Sequence, residues 1–204
     1  MAKYLTVAFL LMVFAEIAWT QSPATGRQTA SSPPASVAPS YVPPDAATRR
    51  RRYLSDMIGP VSIATSAAAA GFGTWQNYPR EWGPGWEGFG KRFASNVGES
   101  IISSSTQYGL DEAMHIDSYF YRSTKRDTRS KLRNALISGF TARKRDGRRV
   151  FGLPRIAGIY ASNVIAVATW YPHRVPWTNG LSSGTISVGL NVLGNLAKEF
   201  VWKK

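Results

Sequence analysis

Apolar residues recur with a helical period through most of the chain after its first fifty residues. One set repeats every four residues, and a second alternates steps of four and three: Phe89, Phe93, Val97 and Ile101, then Ile186, Leu190, Leu193, Ala197 and Phe200. Either spacing places its members on one face of a helix. We therefore predict a helix from Trp86 to about Tyr108, whose large apolar residues face the core, and a second helix near the end of the chain.

Further helices follow from shorter patterns. Leu132, Leu136 and Phe140 mark one, and Leu153-Pro154 suits the first turn of another. The segment from Met57 to Trp75, with Pro60 near its start, completes the set. We predict a mainly α fold, a single bundle of four to five helices. Asp146-Gly147 is a strong turn signal, so a short β-hairpin there is an alternative to a plain helix-to-helix loop.

Small residues form narrower stripes on three of these helices. The stripes are Gly90, Ala94 and Gly98; Gly158, Ser162 and Ala166; and Ala67 with Gly71. Small residues at this spacing let helix backbones approach closely, in membranes and in water-soluble bundles alike. Two stretches of 23 residues, Met57 to Pro79 and Val175 to Ala197, lack Lys, Arg, Asp and Glu but are only weakly apolar. We expect tight packing in a soluble or surface-bound bundle rather than a complete membrane bundle.

The N-terminal residues indicate export. A short basic start, the apolar run Tyr4 to Ala18 and small residues before Gln21 predict a signal peptide over residues 1–20. Residues 21–52 are rich in Pro, Ser and Ala and end in four consecutive arginines, which predicts a disordered linker, and residues 53–204 form the helical domain. The chain has no Cys and no Asn-x-Ser/Thr acceptor, so we expect a bacterial periplasm or cell envelope, with association to a membrane left open.

The ends of the predicted helices differ in chemistry. If long helices alternate in direction, basic residues gather at one end and tryptophans at the other: Trp75, Trp82, Trp86, Trp170 and Trp177. The tryptophans suit either a lipid interface or a satellite core under the loop from Tyr78 to Gly90, and both alternatives stay open.

The basic segment from Arg122 to Arg155 is the main candidate for binding. It carries +10 of the net charge of +13, through twelve cations: Arg122, Lys125, Arg126, Arg129, Lys131, Arg133, Arg143, Lys144, Arg145, Arg148, Arg149 and Arg155. Such a field attracts polyanions, although a solvated surface is the alternative. We predict an anionic membrane surface or a phosphorylated envelope glycan as partner. Nucleic acid is less favoured because only Phe140 and Phe151 supply aromatic rings inside the segment.

Catalytic signals are sparse. Glu112 and His115 have a spacing found in metal sites of helical bundles, but His173 is the only other histidine, so we predict no metal and no cofactor. His115 and Asp117 form a candidate polar site, and a secreted hydrolase using them is the alternative function. We expect Asp117 rather to pair with a neighbouring cation. The sequence favours a non-enzymatic envelope protein.

Several short motifs in order carry a family resemblance. They are Trp86 to Phe93, Asp117 to Arg122, Arg145 to Arg149, Ile156-Ala157-Gly158 with Ser162-Asn163, and Trp170-Tyr171-Pro172. Over roughly Gly59 to Trp202 the chain resembles a family of uncharacterised exported bacterial proteins. It departs from that pattern at Asp117-Ser118-Tyr119-Phe120, where the family has Asp-Pro-Arg-Tyr. The resemblance implies export and one continuous domain, and it implies no chemistry.

Overall fold

The structure, a computed structural model, describes residues 41–172 and 175–200. It confirms the mainly α fold. The helices are α1 Ala46–Ile58, α2 Pro60–Trp75, α3 Gly85–Met114, α4 Thr128–Phe140, α5 Leu153–Thr169 and α6 Trp177–Phe200, and the strands are β1 Ile116–Asp117, β2 Thr141–Lys144 and β3 Arg149–Phe151. The predicted signal peptide, residues 21–40 of the predicted linker, and His173 lie outside the described residues.

The N-terminal boundary of the helical part is earlier than predicted. The side chain of Asp45 accepts a hydrogen bond from the backbone N–H of Thr48 at 3.0 Å, which caps the first turn of α1. The run of four arginines, Arg49 to Arg52, therefore belongs to α1 and not to the predicted linker. Gly59 lies between α1 and α2 in an extended conformation, and only glycine fits there because a Cβ would lie 2.2 Å from the Ser55 carbonyl oxygen. Pro60 begins α2 at a position that needs no N–H.

The helices pack as a row of antiparallel neighbours. Both α1 and α2 run along α3, α3 packs on α5, α5 on α6, and α6 on α4. Two contacts along a pair give its direction: on α3, Gly158 meets Ser103 while Trp170 bonds Ser95. The other pairs show the same reversal: Arg49–Glu112 with Ser62–Ser100, Asn163–Gly180 with Tyr160–Gly184, and Asn134–Glu199 with Gly139–Val192. A helix in a row has a neighbour on two sides only, so part of its remaining surface stays open.

The predicted β-hairpin at Asp146-Gly147 is confirmed. Strands β2 and β3 pair antiparallel, with Thr141 opposite Phe151 and Arg143 opposite Arg149. Gly147 takes a φ of 82°, a conformation that glycine adopts without a steric penalty. Strand β1, directly after α3, adds to β2 and places Asp117 opposite Arg143. The hairpin thus brings the basic segment against the end of α3.

The interior is largely polar, and this corrects the predicted core of α3. The buried residues of α3 are Gly88, Arg92 and Ser95, whereas three of the four predicted core residues are half-buried and the fourth, Ile101, is 37% exposed. Gly90 and Ala94 are exposed. The predicted contact of Gly90 and Ala94 with a neighbouring backbone is therefore wrong. In α2 the buried small residues are Ser66 and Ala70 rather than Ala67 and Gly71. Small residues four positions apart are therefore buried in α2 as predicted, but each buried residue precedes the predicted one by one position.

The stripe on α5 is where the close-packing prediction holds. Gly158, Ser162 and Ala166 are all buried. A Cβ on Gly158 would lie 2.5 Å from the Ser103 carbonyl oxygen of α3, so the two backbones meet directly. The small residues of this stripe set the distance between α3 and α5.

We predict that Gly158→Leu will lower the free energy of unfolding by about 3 kcal/mol, because the new side chain overpacks a contact between two backbones. The melting temperature should fall by roughly 6–12 °C. Ala94→Leu is the matched control, since Ala94 is exposed and the change should stay within about 0.5 kcal/mol. Equal melting temperatures for the two variants would contradict the assigned packing.

Candidate functional site

The exposed cations of the basic segment lie on α4, on the loop before it and on the hairpin. Nine of the twelve predicted residues are exposed: Arg122, Lys125, Arg126, Arg129, Arg133, Lys144, Arg145, Arg148 and Arg149. Within residues 41–172 and 175–200, the ion pairs are Arg49–Glu112, Arg52–Asp117 and Lys91–Glu87, so no ion pair there involves these nine cations. Their charge is available to an external anion.

Arg155 does not belong to this surface, which corrects the prediction for that residue. It is 5% exposed, and its Nη1 donates to the Ser138 carbonyl oxygen of α4. Burial lowers its pKa, and the charges of Asp111 and Asp117 oppose that decrease. Arg155 therefore joins α5 to α4 inside the protein. Other predicted residues also make internal contacts: the Arg143 guanidinium lies over the rings of Tyr41 and Tyr121, and Arg149 Nη2 donates to Asn134 Oδ1 at 2.6 Å.

An apolar stripe of α6 adjoins the basic residues of α4. Ile186, Leu190 and Leu193 are 61, 60 and 59% exposed, although they form the apolar stripe found in the sequence. The buried face of α6 instead carries Gly180, Gly184, Asn195 and Glu199. Phe200, at the end of the stripe, lies 6.0 Å from Lys131 Nζ, and Arg122 Nη2 donates to the Glu199 carbonyl oxygen at 3.1 Å. We call the combined exposed face of these two helices, together with Arg126 of the loop before α4, the α4/α6 surface. Its other members are Arg129, Leu132, Arg133, Ile186, Leu190, Leu193 and Phe200.

Asp117 is the centre of a polar cluster at the end of α3. Its carboxylate accepts hydrogen bonds from Tyr41 Oη at 2.9 Å and from Tyr121 Oη at 2.5 Å, and Arg52 Nη1 lies 3.7 Å away. The prediction that Asp117 pairs with a cation is correct, but the partner is Arg52 of α1. Burial raises the pKa of Tyr41, and the negative charge of Asp117 adds to that increase. No local pattern in the sequence indicates Tyr41 as a partner of Asp117, because 76 residues separate the two.

His115 is not joined to a nucleophile. It ends α3 with a φ of 56°, is exposed, and its Nδ1 lies 3.3 Å from the Ala113 carbonyl oxygen. It lines a cavity of about 20 Å³, with room for about one water molecule, together with Asp111 and Asp117. Ser118 is fully buried and donates to Asp111 Oδ1 at 2.7 Å. Within residues 41–172 and 175–200, the His115 ring makes no hydrogen bond to a serine hydroxyl group that it could activate. No group of three potential metal ligands occurs in the same part of the chain.

Asp111 should make stability depend on pH. Burial raises its pKa from 3.8 to about 6, against the hydrogen bonds from Ser118. An acid with a raised pKa in the folded state stabilises the fold when protonated, so its contribution is complete below pH ~4 and disappears as pH rises through ~6. We expect wild type to lose on the order of 3 kcal/mol over that interval from this group. Urea denaturation between pH 4 and 7 should show a flatter profile for Asp111→Asn; an equally steep profile would contradict the assignment.

The tryptophans divide between the two predicted roles. Trp82 packs on Tyr171 with 5.0 Å between the ring centres, so it belongs to a satellite core at the loop before α3. Trp170 is 37% exposed and is fixed on α3 by the hydrogen bond from its Nε1 to Ser95 Oγ at 2.8 Å. In contrast, Trp75, Trp86 and Trp177 are 80, 87 and 63% exposed. These three keep the interfacial alternative open.

Comparison of the chain with protein-family profiles, curated proteins and solved structures gives no match. None of the helices in residues 41–172 and 175–200 combines the length and the apolar character needed to cross a bilayer.

Proposed function

We propose that the protein is a non-enzymatic, exported envelope protein that docks on an anionic membrane through the α4/α6 surface. The observation that supports this most directly is the exposure of the apolar stripe Ile186, Leu190 and Leu193 beside basic residues of α4. An apolar strip flanked by cations is the arrangement by which a helix lies in the membrane interface: the strip enters the acyl boundary and the cations contact phosphates.

The apolar stripe favours lipid over the other anions considered. A phosphorylated glycan or a nucleic acid would bind to the cations alone. It would not bury the three aliphatic side chains, which are about 60% exposed, so their apolar surface would add nothing to its affinity. In addition, Tyr119 and Tyr121 stack against Arg52, and Tyr41 and Tyr121 against Arg143. These rings already have an arginine as a neighbour on one side, which leaves less ring surface for bases. A secreted hydrolase has little support, since His115 contacts no nucleophile in the described part of the chain.

Flotation with lipid vesicles tests the proposal. Wild type should float with vesicles that contain an anionic phospholipid, not with neutral vesicles of phosphatidylcholine alone, and binding should weaken as salt rises because exposed charges are screened over ~10 Å at 0.1 M. The double variant Arg129→Gln with Arg133→Gln should lose about 2 kcal/mol, roughly a thirtyfold weaker affinity, at about 1 kcal/mol for each charge.

The control removes the same charge elsewhere. Arg50 on α1 and Arg80 in the loop before α3 are exposed, so Arg50→Gln with Arg80→Gln keeps the net charge of the test variant. Its binding should fall by less than threefold. Equal losses in the two variants would mean that net charge alone attracts the protein to the vesicle. Binding of wild type to neutral vesicles as strong as to acidic ones would contradict the electrostatic part.

A further inference from the structure

One face of α1 carries a second group of anion-binding side chains. Thr48, Arg51, Arg52 and Ser55 stand at positions i, i+3, i+4 and i+7, so they share that face. Together with Asp56 and Tyr119 they line an open cavity of about 280 Å³. We call this cavity the α1 groove. Its size is near the lower end for small-molecule sites and suits a compact polar group.

Arg52 is held in place at the groove. Its Nη1 donates to Tyr121 Oη at 2.9 Å, and its guanidinium carbon lies 4.0 Å from the centre of the Tyr119 ring. This stacking orients the planar group and reduces the entropy lost when a ligand binds. A guanidinium group has five N–H donors, and the bond to Tyr121 uses one on Nη1. Its other N–H groups can donate to an anion.

The other donors of the groove face solvent. Arg51 is exposed, and neither its guanidinium nor the Ser55 hydroxyl group makes a hydrogen bond within residues 41–172 and 175–200. The Thr48 hydroxyl group hydrogen-bonds the exposed Asp45 carboxylate and would exchange that partner for an oxygen of the ligand. Two guanidinium groups and two hydroxyl groups on one helix face match the several oxygens of a phosphate, and a guanidinium can bind two of them at once.

Asp56 gives the groove a negative end. Asp56 is exposed as a residue, but partial burial of its carboxylate raises its pKa, and the charges of Lys198, Arg155 and Arg52 oppose the increase. Lys198 belongs to the last turn of α6, so the groove lies near the end of the α4/α6 surface. An acid beside two arginines can accept a hydrogen bond from an ammonium group that the same ligand carries next to its phosphate.

We propose that the α1 groove binds the phosphate ester of an amino alcohol, with Arg51, Arg52 and the hydroxyls of Thr48 and Ser55 on the phosphate and Asp56 on the ammonium group. This inference rests on the proposed membrane function, because a lipid headgroup of this type would present that ester beside the α4/α6 surface. The groove then selects a headgroup chemistry, whereas the α4/α6 surface supplies general attraction to the membrane.

Calorimetric titration of the full chain with soluble esters tests the groove without any vesicle. The probes are phosphoethanolamine, glycerol 3-phosphate, inorganic phosphate and ethanolamine. We expect phosphoethanolamine to bind most tightly and ethanolamine not to bind. Arg51→Gln and Arg52→Lys should each lower the affinity for phosphoethanolamine about tenfold. The first removes a charge-assisted hydrogen bond, and the second removes the planar fork of the guanidinium.

Asp56→Asn distinguishes the contact to the ammonium group from the contacts to the phosphate. It should lower the affinity for phosphoethanolamine about tenfold, because the ammonium contact is lost. The affinity for inorganic phosphate and for glycerol 3-phosphate should stay the same or increase. Arg50→Gln is the control on the same helix, since Arg50 does not line the groove. Melting temperatures of Arg51→Gln and wild type should agree, because Arg51 is exposed.

Other results would overturn the inference. They are the absence of binding by every ester, equal affinity for phosphoethanolamine and inorganic phosphate, and equal binding in all variants. Tighter binding of a single-stranded oligonucleotide that is lost in Arg51→Gln would assign the groove to nucleic acid instead. Vesicle flotation distinguishes the two proposals: if soluble esters fail to bind while wild type still floats with acidic vesicles, the groove is wrong and the membrane function stands.

Discussion

Replacing Ile186, Leu190 and Leu193 by serine is expected to abolish binding to acidic vesicles. These side chains are about 60% exposed, and full burial of such a residue is worth about 1.5–3 kcal/mol, so the three together should contribute about 3–5 kcal/mol in a membrane interface. The affinity should fall by a factor of some hundreds to thousands. The fold should remain, because exposed positions typically change stability by about 0.5 kcal/mol or less.

The matched control is a second set of exposed aliphatic residues at the junction of α1 and α2. Leu54, Ile58 and Val61 are 44, 52 and 55% exposed, and their replacement by serine should leave vesicle binding within about threefold of wild type. A triple α6 variant that still floats would contradict the lipid assignment. So would a wild-type protein that forms a stable dimer through the same three residues and does not float, because the stripe would then bind a second copy.

Arg92→Ala is expected to destabilise the protein by about 4–5 kcal/mol. Arg92 is 3% exposed and donates to three backbone carbonyls: Nε to Tyr78 at 2.8 Å, Nη1 to Gly83 at 2.9 Å and Nη2 to Pro79 at 2.9 Å. Hydrogen bonds from a charged donor contribute about 1.5–3 kcal/mol each, and truncation leaves buried acceptors without partners. Urea denaturation followed by tryptophan fluorescence measures the loss, since Trp82 lies in the same loop.

Two further variants make the Arg92 prediction specific. Arg80→Ala removes an exposed arginine from the same loop and should change stability by about 0.5 kcal/mol or less. Arg92→Lys keeps the charge but cannot form the same set of hydrogen bonds, so its free energy of unfolding should lie between those of wild type and Arg92→Ala. A loss below about 1 kcal/mol for Arg92→Ala would show that water replaces the arginine and that the loop does not depend on it.

The sequence predicted most of the elements because their signals are local. Pro60 and Pro154 begin helices at positions that need no N–H, and Asp146-Gly147 supplies the turn of the hairpin. Export, the disordered linker from residue 21 and the family resemblance remain predictions from sequence. The site was harder to predict. The exposure of the cations on α4 agrees with their polarity, whereas Arg155 is buried because α5 carries it against the Ser138 carbonyl of α4.

What the sequence by itself determined is the period of each helix and the sign of its charge. What only the tertiary structure decided is which face of each helix is covered. The period places Ile186, Leu190 and Leu193 on one side of α6 whichever way that side points, but the neighbours of α6 contact Gly180, Gly184 and Glu199 on the other side. Close approach needs small residues, so α5 packs on the glycine face, and the aliphatic face is left exposed.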